Sequence, residues 1–376
     1  MKILFVCENY IPHYGGVEVV FKNLAERYVK QGHHVALVTQ LLPGTKRFEV
    51  MNGVKVFRVN CFGSRNLFTF LSLLRILKLA KGCDVIQTTS FNGAPPAWLV
   101  GKLRRKKVAI TVHEVWIGKW QKVTSLSSVK AKIHEVLERM IYWLKYDKYI
   151  CVSDSTKKDL LKIGIDPLKV SRVYNGVEYQ FWNPDKFDDR NLEIRKRFNV
   201  ENNFVYFAWG RPGPSKGHEY LIRAVPLIKK KVKNAKLLLM LSTSEQYKKK
   251  YAELVQLVNV LGLQDDVKII PPVKHLELGY YLKAFDCAVI PSIAEGFGFN
   301  CAEAMTMGIP VVVSDAGSLP EVVSGKHWIF RSKDVQDLAN CVIRVSKREW
   351  QEIPLKRFEW SDSVDKYLGV YAELIK

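Results

Sequence analysis

The sequence predicts an α/β protein with two domains, each built on a doubly wound, mainly parallel sheet. Three observations predict this class. The chain has 376 residues, more than the roughly 100–200 residues of one ordinary domain. Short runs rich in β-branched and aromatic residues alternate with longer segments of helical periodicity, the order expected of parallel strands joined by crossover helices. This alternation weakens over residues 176–203, which carry Asn-Pro and clusters of Asp and Asn, and then starts again.

The first series of elements lies within residues 1–182, the predicted first domain. Strands are predicted at residues 3–7, 34–39, 54–59, 84–88, 108–112 and 148–152. Helices are predicted between them, at residues 17–30, 67–81, 94–103, 129–144 and 155–163. The period of the apolar residues separates the two types of element.

The second series lies within residues 183–356, the predicted second domain. Strands are predicted at residues 204–209, 236–241, 267–270, 287–290 and 311–314. Helices are predicted at residues 218–233, 246–261, 276–284 and 301–307. Ligands of doubly wound sheets bind beyond the carboxyl ends of the strands, so the loops that follow strands are the candidate sites. With two domains, the cleft between them is the predicted binding site.

Composition excludes several classes of protein. Hydrophobic residues make up 48% and charged residues 25% of the chain, as in ordinary globular proteins and unlike disordered or collagen-like chains. The seven cysteines are widely spaced without CxxC, which argues against a zinc site or disulfide framework and favours a reducing compartment. The apolar run at the start ends at Glu8, too early for a signal peptide. The expected location is the cytoplasm, with possible association with the inner face of the cell membrane.

The net charge of +21 predicts an anionic partner. Residues 1–182 hold 29 Lys and Arg against 13 Asp and Glu, whereas residues 183–376 hold 29 against 24. The excess therefore belongs to the first domain. Nucleic acid is not the expected partner, because no helix-turn-helix, zinc-finger or RRM motif is found.

In each of the two domains, a glycine-rich loop follows the first strand. Gly15 and Gly16 open the first helix, where helix N–H groups favour anions and glycine permits close approach. Arg211 and Lys216 flank a Gly/Pro-rich turn before a helix in the second domain, and two cations at a helix start suit a diphosphate. Neither loop matches GxGxxG or a P-loop. A tight turn in the first loop and two solvated cations in the second remain the alternatives.

A third loop, residues 291–305, places two carboxylates around a Gly-Phe-Gly-Phe segment. Glu295 lies on the loop and Glu303 in the following helix. Carboxylates accept hydrogen bonds from several hydroxyl groups, which suits a sugar. The two glycines, Gly296 and Gly298, keep the intervening chain close to a ligand.

The ordered set of motifs resembles the family 4 retaining glycosyltransferases of GT-B fold, over essentially the whole chain. Glu295 and Glu303 fit E-x7-E, and Arg211 with Lys216 fits R-x4-K. Further matching pieces are Thr111-Val112-His113-Glu114, Val152-Ser153, Tyr174-Asn175-Gly176-Val177, Pro310-Val311-Val312 and Gly317-Ser318-Leu319-Pro320-Glu321-Val322. The family fold implies two Rossmann-like domains facing across a cleft. It also implies that a C-terminal segment, residues 357–376 with a helix at 363–375, packs back on the first domain.

The resemblance implies transfer of a hexose from a UDP- or GDP-sugar to a hydroxyl of a glycan or lipid-linked acceptor, as in polysaccharide or glycolipid synthesis. The donor would bind the second domain and the acceptor the first. The resemblance also implies a role for each site residue. Arg211 and Lys216 would hold the diphosphate, and Glu303 would bind the ribose. Glu295 would bind the transferred sugar, together with backbone N–H groups near Gly296, Phe297, Gly298 and Phe299.

The remaining roles lie at the edges of the donor. Gly15 and Gly16 would approach the phosphate, His113 would lie beside the sugar, and Val273 would lie near the base.

No cofactor or metal is expected. The chain contains no D-x-D, the motif that holds a metal in many glycosyltransferases, so Arg211 and Lys216 would stabilise the leaving diphosphate instead. Glu295 as a covalent nucleophile is the glycosidase-like alternative. A sugar-nucleotide epimerase of GT-B fold and a non-catalytic sugar- or membrane-binding module are the competing functions.

Three basic segments of the first domain mix cations with apolar residues, as membrane-docking surfaces do. The residues concerned are Lys102, Arg104, Arg105, Lys106 and Lys107; Phe68, Phe70, Leu71, Leu74 and Leu77 among Arg75, Lys78 and Lys81; and Trp120, Tyr142, Trp143 and Tyr146 within the lysine-rich residues 119–149. The alternative is that the apolar residues belong to the core and the cations to a solvated face.

Overall fold

The computed structural model describes all 376 residues, which divide into two compact units. The first unit contains Met1–Trp120, Ser128–Gly176 and Phe358–Lys376, and the second contains Gln121–Ser127 and Val177–Arg357. The sequence places the domain boundary between residues 182 and 183, whereas the units divide after Gly176 and again after Arg357.

The first unit is built on an eight-stranded sheet of order β3-β4-β2-β1-β5-β6-β7-β8. Its strands are β1 (Lys2–Val6), β2 (His34–Gln40), β3 (Phe48–Met51), β4 (Val54–Val59), β5 (Val85–Thr89), β6 (Lys107–Val112), β7 (Lys148–Cys151) and β8 (Val170–Arg172). All neighbours are parallel except β3 and β4, which form an antiparallel hairpin at one edge. The predicted α/β class with parallel sheets is confirmed.

Helices cover both faces of this sheet. They are α1 (Gly16–Lys30), α2 (Phe68–Leu71), α3 (Leu73–Ala80), α4 (Ala94–Arg104), α6 (Ser128–Trp143) and α7 (Asp154–Lys162), with α15 (Trp360–Ile375) from the end of the chain. The short helix α5 (Trp120–Val123) begins in the first unit, and its last three residues belong to the second. Residues of α2, α3, α4, α6 and α7 share one core with alternate residues of β1, β5, β6 and β7. Because side chains alternate across a strand, these helices lie on one face of the sheet.

The predicted helix over residues 67–81 is wrong in one respect, because the structure has α2 and α3 on either side of Ser72. Ser72 keeps helical backbone angles and is fully buried. Serine is a weaker helix former than its leucine neighbours. Part of another expectation fails as well: four residues named above as parts of docking surfaces are core residues, namely Phe68, Trp120, Tyr142 and Tyr146.

The opposite face is covered by α1 and α15. Tyr371 donates its hydroxyl to Gln87 Oε1 at 3.1 Å, and Tyr367 shares a hydrogen bond of 3.1 Å with Thr111 Oγ1. Both partners are buried residues of β5 and β6. At Gly176 a Cβ would lie 2.4 Å from the Trp360 ring. The last segment of the chain is therefore part of the first unit's core.

The second unit is built on a seven-stranded sheet of order β11-β10-β9-β12-β13-β14-β15. The strands are β9 (Phe204–Gly210), β10 (Ala235–Leu241), β11 (Val267–Ile270), β12 (Cys287–Ile290), β13 (Val311–Ser314), β14 (Gly325–Phe330) and β15 (Gln351–Ile353). The helices are α8 (Asn191–Arg197), α9 (His218–Lys231), α10 (Lys248–Val260), α11 (Leu278–Ala284), α12 (Phe299–Thr306), α13 (Leu319–Val322) and α14 (Val335–Ser346). Only β14 and β15 pair antiparallel.

The segment where the sequence pattern weakens contains a helix, α8. Arg195 holds it in place, with Nε donating to the Ala284 carbonyl at 2.7 Å and a terminal nitrogen 2.8 Å from the Asp286 carboxylate. Ile194 is the one buried residue of α8, so the apolar repeat that marks a helix is missing. This helix is held by polar contacts that sequence periodicity does not reveal.

Candidate functional site

The candidate site lies at the carboxyl edge of the second unit's sheet. The chain runs from β9 outward through β10 to β11, then returns to β12 on the other side of β9. Neighbouring loops after β9 and β12 therefore diverge at a topological switch point, where doubly wound sheets bind ligands. These two loops carry Arg211 with Lys216 and Glu295, so the fold brings together residues that are far apart in the sequence.

Backbone contacts fix the two loops against each other. Ile293 donates its N–H to the Ser215 carbonyl at 2.8 Å. Gly217 has φ +65° and precedes α9, and a Cβ there would lie 2.0 Å from the Pro291 carbonyl oxygen. Only glycine fits this position, because both the space and the left-handed backbone exclude other residues. The chain around Lys216 is therefore held in register with the loop of Glu295.

Lys216 and Glu295 form an ion pair. Lys216 Nζ donates to Glu295 Oε2 at 2.7 Å, and Ser292 Oγ donates to the same oxygen at 3.0 Å. The side chains are 19% and 14% exposed, so the pair is shielded from solvent on most sides. The structure thus brings the residue predicted to bind the diphosphate into contact with the residue predicted to bind the sugar.

The backbone of Glu295 is also fixed from a third loop, after β13. Ser318 donates its backbone N–H at 3.1 Å and its hydroxyl at 3.2 Å to the Glu295 carbonyl. Gly317 has φ +58°, and a Cβ there would lie 2.2 Å from the same carbonyl oxygen. The segment 317–322, part of the matching motif set, therefore supports the position of Glu295.

Arg211 provides a second cation on the β9 loop. Its side chain is exposed and makes no ion pair. Asn300, in the first turn of α12, donates its side-chain amide to the Trp209 carbonyl at 3.0 Å, which ties the start of α12 to the end of β9. Arg211 is thus an available cation on the same loop as Lys216.

Helix α12 begins at the site and carries Glu303. Gly298 precedes it with φ +88°, and the first N–H groups of a helix have no partner within it and favour anions. Glu303 is half-buried without a hydrogen-bond partner, and burial raises the pKa of its carboxyl to about 8. Phe297 is buried with its ring centroid 5.1 Å from that of Phe299, and Gly296 and Gly298 on either side of it are buried as well.

The other predicted site residues are more scattered. Val273 lies half-buried in the loop after β11. His113 follows β6 in the first unit, its Nε2 is buried without a partner, and burial lowers the pKa of the ring to about 4. The imidazole is therefore neutral near pH 7.

Gly15 and Gly16 lie in the first unit, at the start of α1, and here the structure adds a residue that sequence reasoning missed. Glu18 is buried, and a Cβ on Gly15 would lie 2.5 Å from its Oε2. His13 Nδ1 lies 3.0 Å from Glu18 Oε1. A carboxylate thus already occupies part of the helix start that sequence analysis offers to a phosphate.

A second missed group lies at the carboxyl end of β1. Glu8 is buried, accepts a hydrogen bond from Asn92 Nδ2 at 2.5 Å and forms an ion pair with Arg65. Its place directly after a predicted strand was the available signal. No group of three or more His, Cys, Asp or Glu side chains is arranged to hold a metal ion, and all seven cysteines are free and buried.

Two family models together match most of the chain. Residues 14–181 match "Glycosyltransferase Family 4", and residues 189–359 match "Glycosyl transferases group 1". A curated relative, "Uncharacterized glycosyltransferase MJ1607" of Methanocaldococcus jannaschii, is 30% identical over 99% of this chain and 98% of the relative.

More distant similarities cover the whole chain as well. The phosphatidylinositol N-acetylglucosaminyltransferase GPI3 subunit of Saccharomyces cerevisiae is 20% identical over 99% of this chain and 83% of its own. Among solved structures, Anabaena Alr3699/HepE in complex with UDP and glucose superposes with a TM-score of 0.73 at 19% identity, covering both chains fully. The fold is thus that of GT-B glycosyltransferases, and the chain belongs to the family 4, group 1 glycosyltransferases.

Proposed function

We propose that this glycosyltransferase moves a hexose from a UDP- or GDP-sugar to a hydroxyl of a glycan or lipid-linked acceptor, with retention and without a metal. The observation that carries the proposal is the shielded Lys216–Glu295 ion pair at the switch point, with the unpaired cation Arg211 on the same loop as Lys216. Cations bind phosphate groups and a carboxylate accepts hydrogen bonds from hydroxyl groups, so this combination suits a ligand that carries both.

Arg211 and Lys216 bind the donor diphosphate in this proposal. As the bond between the anomeric carbon and the phosphate oxygen breaks, negative charge grows on that phosphate. Cations already fixed in place stabilise such charge without reorganising, and the loss of one such donor typically lowers the rate by ~10²–10³. The 2.7 Å contact with Glu295 holds Lys216 in place before the donor arrives.

Glu303 and Glu295 bind the hydroxyl groups. Glu303, half-buried and without a partner, accepts from the donor ribose. Glu295 accepts from the transferred sugar, while the N–H groups at the start of α12 face the donor phosphate. Val273 contributes to the pocket of the base.

His113, Gly15 and Gly16 act from the first unit. A neutral imidazole with a free Nε2 can share a hydrogen bond with a sugar hydroxyl, which is the role we assign to His113. The N–H groups at the start of α1 approach the phosphate at Gly15 and Gly16. The Glu18 carboxylate lies at the same helix start, so its negative charge opposes the binding of the phosphate there.

The proposed chemical step takes place on one face of the sugar. The anomeric carbon releases the phosphate oxygen, the acceptor oxygen bonds to the same face, and the acceptor's proton passes to the departing phosphate. Glu295 is held by Lys216 and Ser292, which favours sugar binding over nucleophilic attack.

Names of similar proteins support the choice of substrates. The yeast relative is named for transfer of N-acetylglucosamine to phosphatidylinositol, and the Anabaena structure contains UDP and glucose. A uridine donor and a lipid-linked polyol acceptor are therefore the first pair to test.

The test is a transfer assay with labelled UDP- and GDP-sugars and glycan or lipid-linked acceptors. Arg211→Ala and Glu295→Ala should abolish transfer, whereas the exposed controls Arg223→Ala and Glu193→Ala should retain it. Full activity in both site variants would contradict the residue assignment. Conversion of the donor without any acceptor would indicate the epimerase instead.

A further inference from the structure

Helix α6 presents a continuous apolar row to solvent. Val129, Ile133, Val136, Met140 and Trp143 follow one another at spacings of four and three residues, and each is between 48% and 71% exposed. Such spacing places side chains on one stripe of a helix. The helix buries only four of its sixteen residues, so most of its apolar surface has no partner within the chain.

Three neighbouring helices add to the same side of the unit. α2, α3 and α4 pack on the same core as α6, and their outward residues include Phe70, Leu74 and Leu103, with Leu74 83% exposed. These four helices carry 11 of the 24 large hydrophobic residues that are exposed in the whole chain. On α1 and α15, which cover the opposite face, Ile375 alone is of this kind. We call the outward side of α2, α3, α4 and α6 the basic apolar face.

Cations surround the apolar residues of this face. The exposed cations of these helices are Arg75, Lys78, Lys102, Arg104, Lys130, Lys132 and Arg139. Their only carboxylates are Glu135, which is 2.9 Å from Arg139, and Glu138, which is buried. A second copy of the chain would bring cations against cations, whereas an anionic surface complements them.

A pocket at the end of α6 has the same mixed character. It encloses about 590 Å³, and its lining includes Tyr146, Tyr149 and Ile163, the three cations Arg139, Lys145 and Lys169, and one carboxylate, Asp166. The Tyr146 hydroxyl is buried without a hydrogen-bond partner. Apolar walls with cations around them fit the headgroup and first carbons of an anionic lipid.

We propose that the basic apolar face docks on an anionic lipid bilayer, with α6 lying in the plane of the headgroups. The apolar row enters the acyl boundary and the flanking cations meet the headgroups, as in interfacial helices. The docking is peripheral in this proposal, and no helix of the chain is long and apolar enough to cross a bilayer.

Docking at α6 is connected to the segment that carries His113. Glu138 accepts hydrogen bonds from the Trp116 N–H at 2.9 Å and the Trp120 indole at 2.7 Å. Both donors follow His113 within a few residues, so a bilayer that holds α6 also holds this segment. The hydroxyl of a lipid-linked acceptor, held near the headgroups, would then lie on the same side of the first unit as the docked helix.

The test is co-sedimentation of the full chain with vesicles of phosphatidylcholine alone or mixed with phosphatidylglycerol. Binding to the mixed vesicles that weakens with salt is expected. Lys130→Gln with Lys132→Gln should lower the partition coefficient about 30-fold, since each near-surface cation contributes about fivefold. Ile133→Gln, Met140→Gln and Trp143→Gln together should lower it roughly 100-fold or more.

Matched controls come from the second unit. Val260→Gln, Leu276→Gln and Ile353→Gln remove exposed apolar residues, and Lys231→Gln with Lys233→Gln removes exposed cations; both sets should bind like the wild type. No sedimentation of the wild type, or equal binding to neutral vesicles, would overturn the proposal. A dimer in light scattering that the α6 triple variant abolishes would assign the face to a second copy. Because sedimentation measures no transfer, this result stands apart from that of the assay above.

Discussion

At the scale of single residues, the Lys216–Glu295 pair couples stability to the proposed donor site. Lys216→Ala should lower the free energy of unfolding by about 2 kcal/mol, because a shielded carboxylate keeps its charge but loses its cation. Glu295→Gln in that background should recover part of the loss, since the uncompensated charge is gone. Urea unfolding of the four chains of this cycle measures the coupling energy, expected at about 1–2 kcal/mol.

The matched control for this cycle is a surface pair of the same two residue types. Lys248 and Glu245 are 2.6 Å apart, with side chains 67% and 82% exposed. Exposed pairs contribute about 0.5 kcal/mol or less, so Lys248→Ala and Glu245→Gln should show little coupling. Equal coupling in the two cycles would mean that the Lys216–Glu295 pair is not shielded as the structure describes.

Glu303 should make stability depend on pH. Burial raises the pKa of its carboxyl from 4.5 to about 8, so between these values the folded chain keeps a proton that the unfolded chain has lost. Stability contributed by this group is therefore present below pH 4.5 and falls as pH rises towards 8. Melting temperatures from pH 5 to 8 should decline more steeply for the wild type than for Glu303→Gln. The exposed control Glu201→Gln should follow the wild type.

Sequence reasoning named the residues of this candidate site but not their contacts. Arg211, Lys216, Glu295 and Glu303 stand out because fixed spacings place them after strands. The pairing of Lys216 with Glu295 spans 79 residues and depends on which loops meet at the switch point. Glu18 was missed because a carboxylate in a first helical turn is ordinary on the surface, and only the structure shows it buried.

At the scale of elements, the turn after β13 sets the position of Glu295. Gly317→Ala should destabilise the fold by more than the strain of a left-handed backbone alone, because the new methyl group would lie 2.2 Å from the Glu295 carbonyl oxygen. Gly308→Ala is the control: its φ is +72°, and nothing lies within 4 Å of a Cβ there. The control should cost about 1–2 kcal/mol from the left-handed backbone alone. Urea unfolding compares the two, and an equal loss would contradict the contact.

Elements with strong periodicity were predictable, and those held by polar or edge contacts were not. The central strands β1 and β9 read as nearly continuous apolar runs because helices cover both faces. β3 was missed, since its four residues are each exposed or only half-buried at the edge of the sheet. α8 was missed because it depends on Arg195 rather than on an apolar stripe.

At the scale of the whole molecule, membrane docking and donor binding are proposed to use different sets of charges. The excess of cations lies in residues 1–182, which contain 29 Lys and Arg and 13 Asp and Glu. The proposed donor site uses only two cations, Arg211 and Lys216. Salt should therefore weaken vesicle binding more than nucleotide binding, because exposed charges are screened while shielded pairs are screened less. Composition made the excess visible, but only the fold shows that the apolar residues beside it share one side of a unit.

Nucleotide binding without a metal is the remaining property to measure on the intact chain. A ligand at 100 times its dissociation constant adds about 2.7 kcal/mol to the free energy of unfolding, or about 5–10 °C in the melting temperature of a unit of this size. Because Arg211 and Lys216 supply the positive charge in our proposal, UDP or GDP should give the same shift in EDTA as in Mg²⁺. Arg211→Ala should lose most of it, whereas Arg223→Ala should not. A shift that appears only with Mg²⁺ would instead assign the diphosphate to a metal, and these two cations would then be supporting ligands rather than its substitutes.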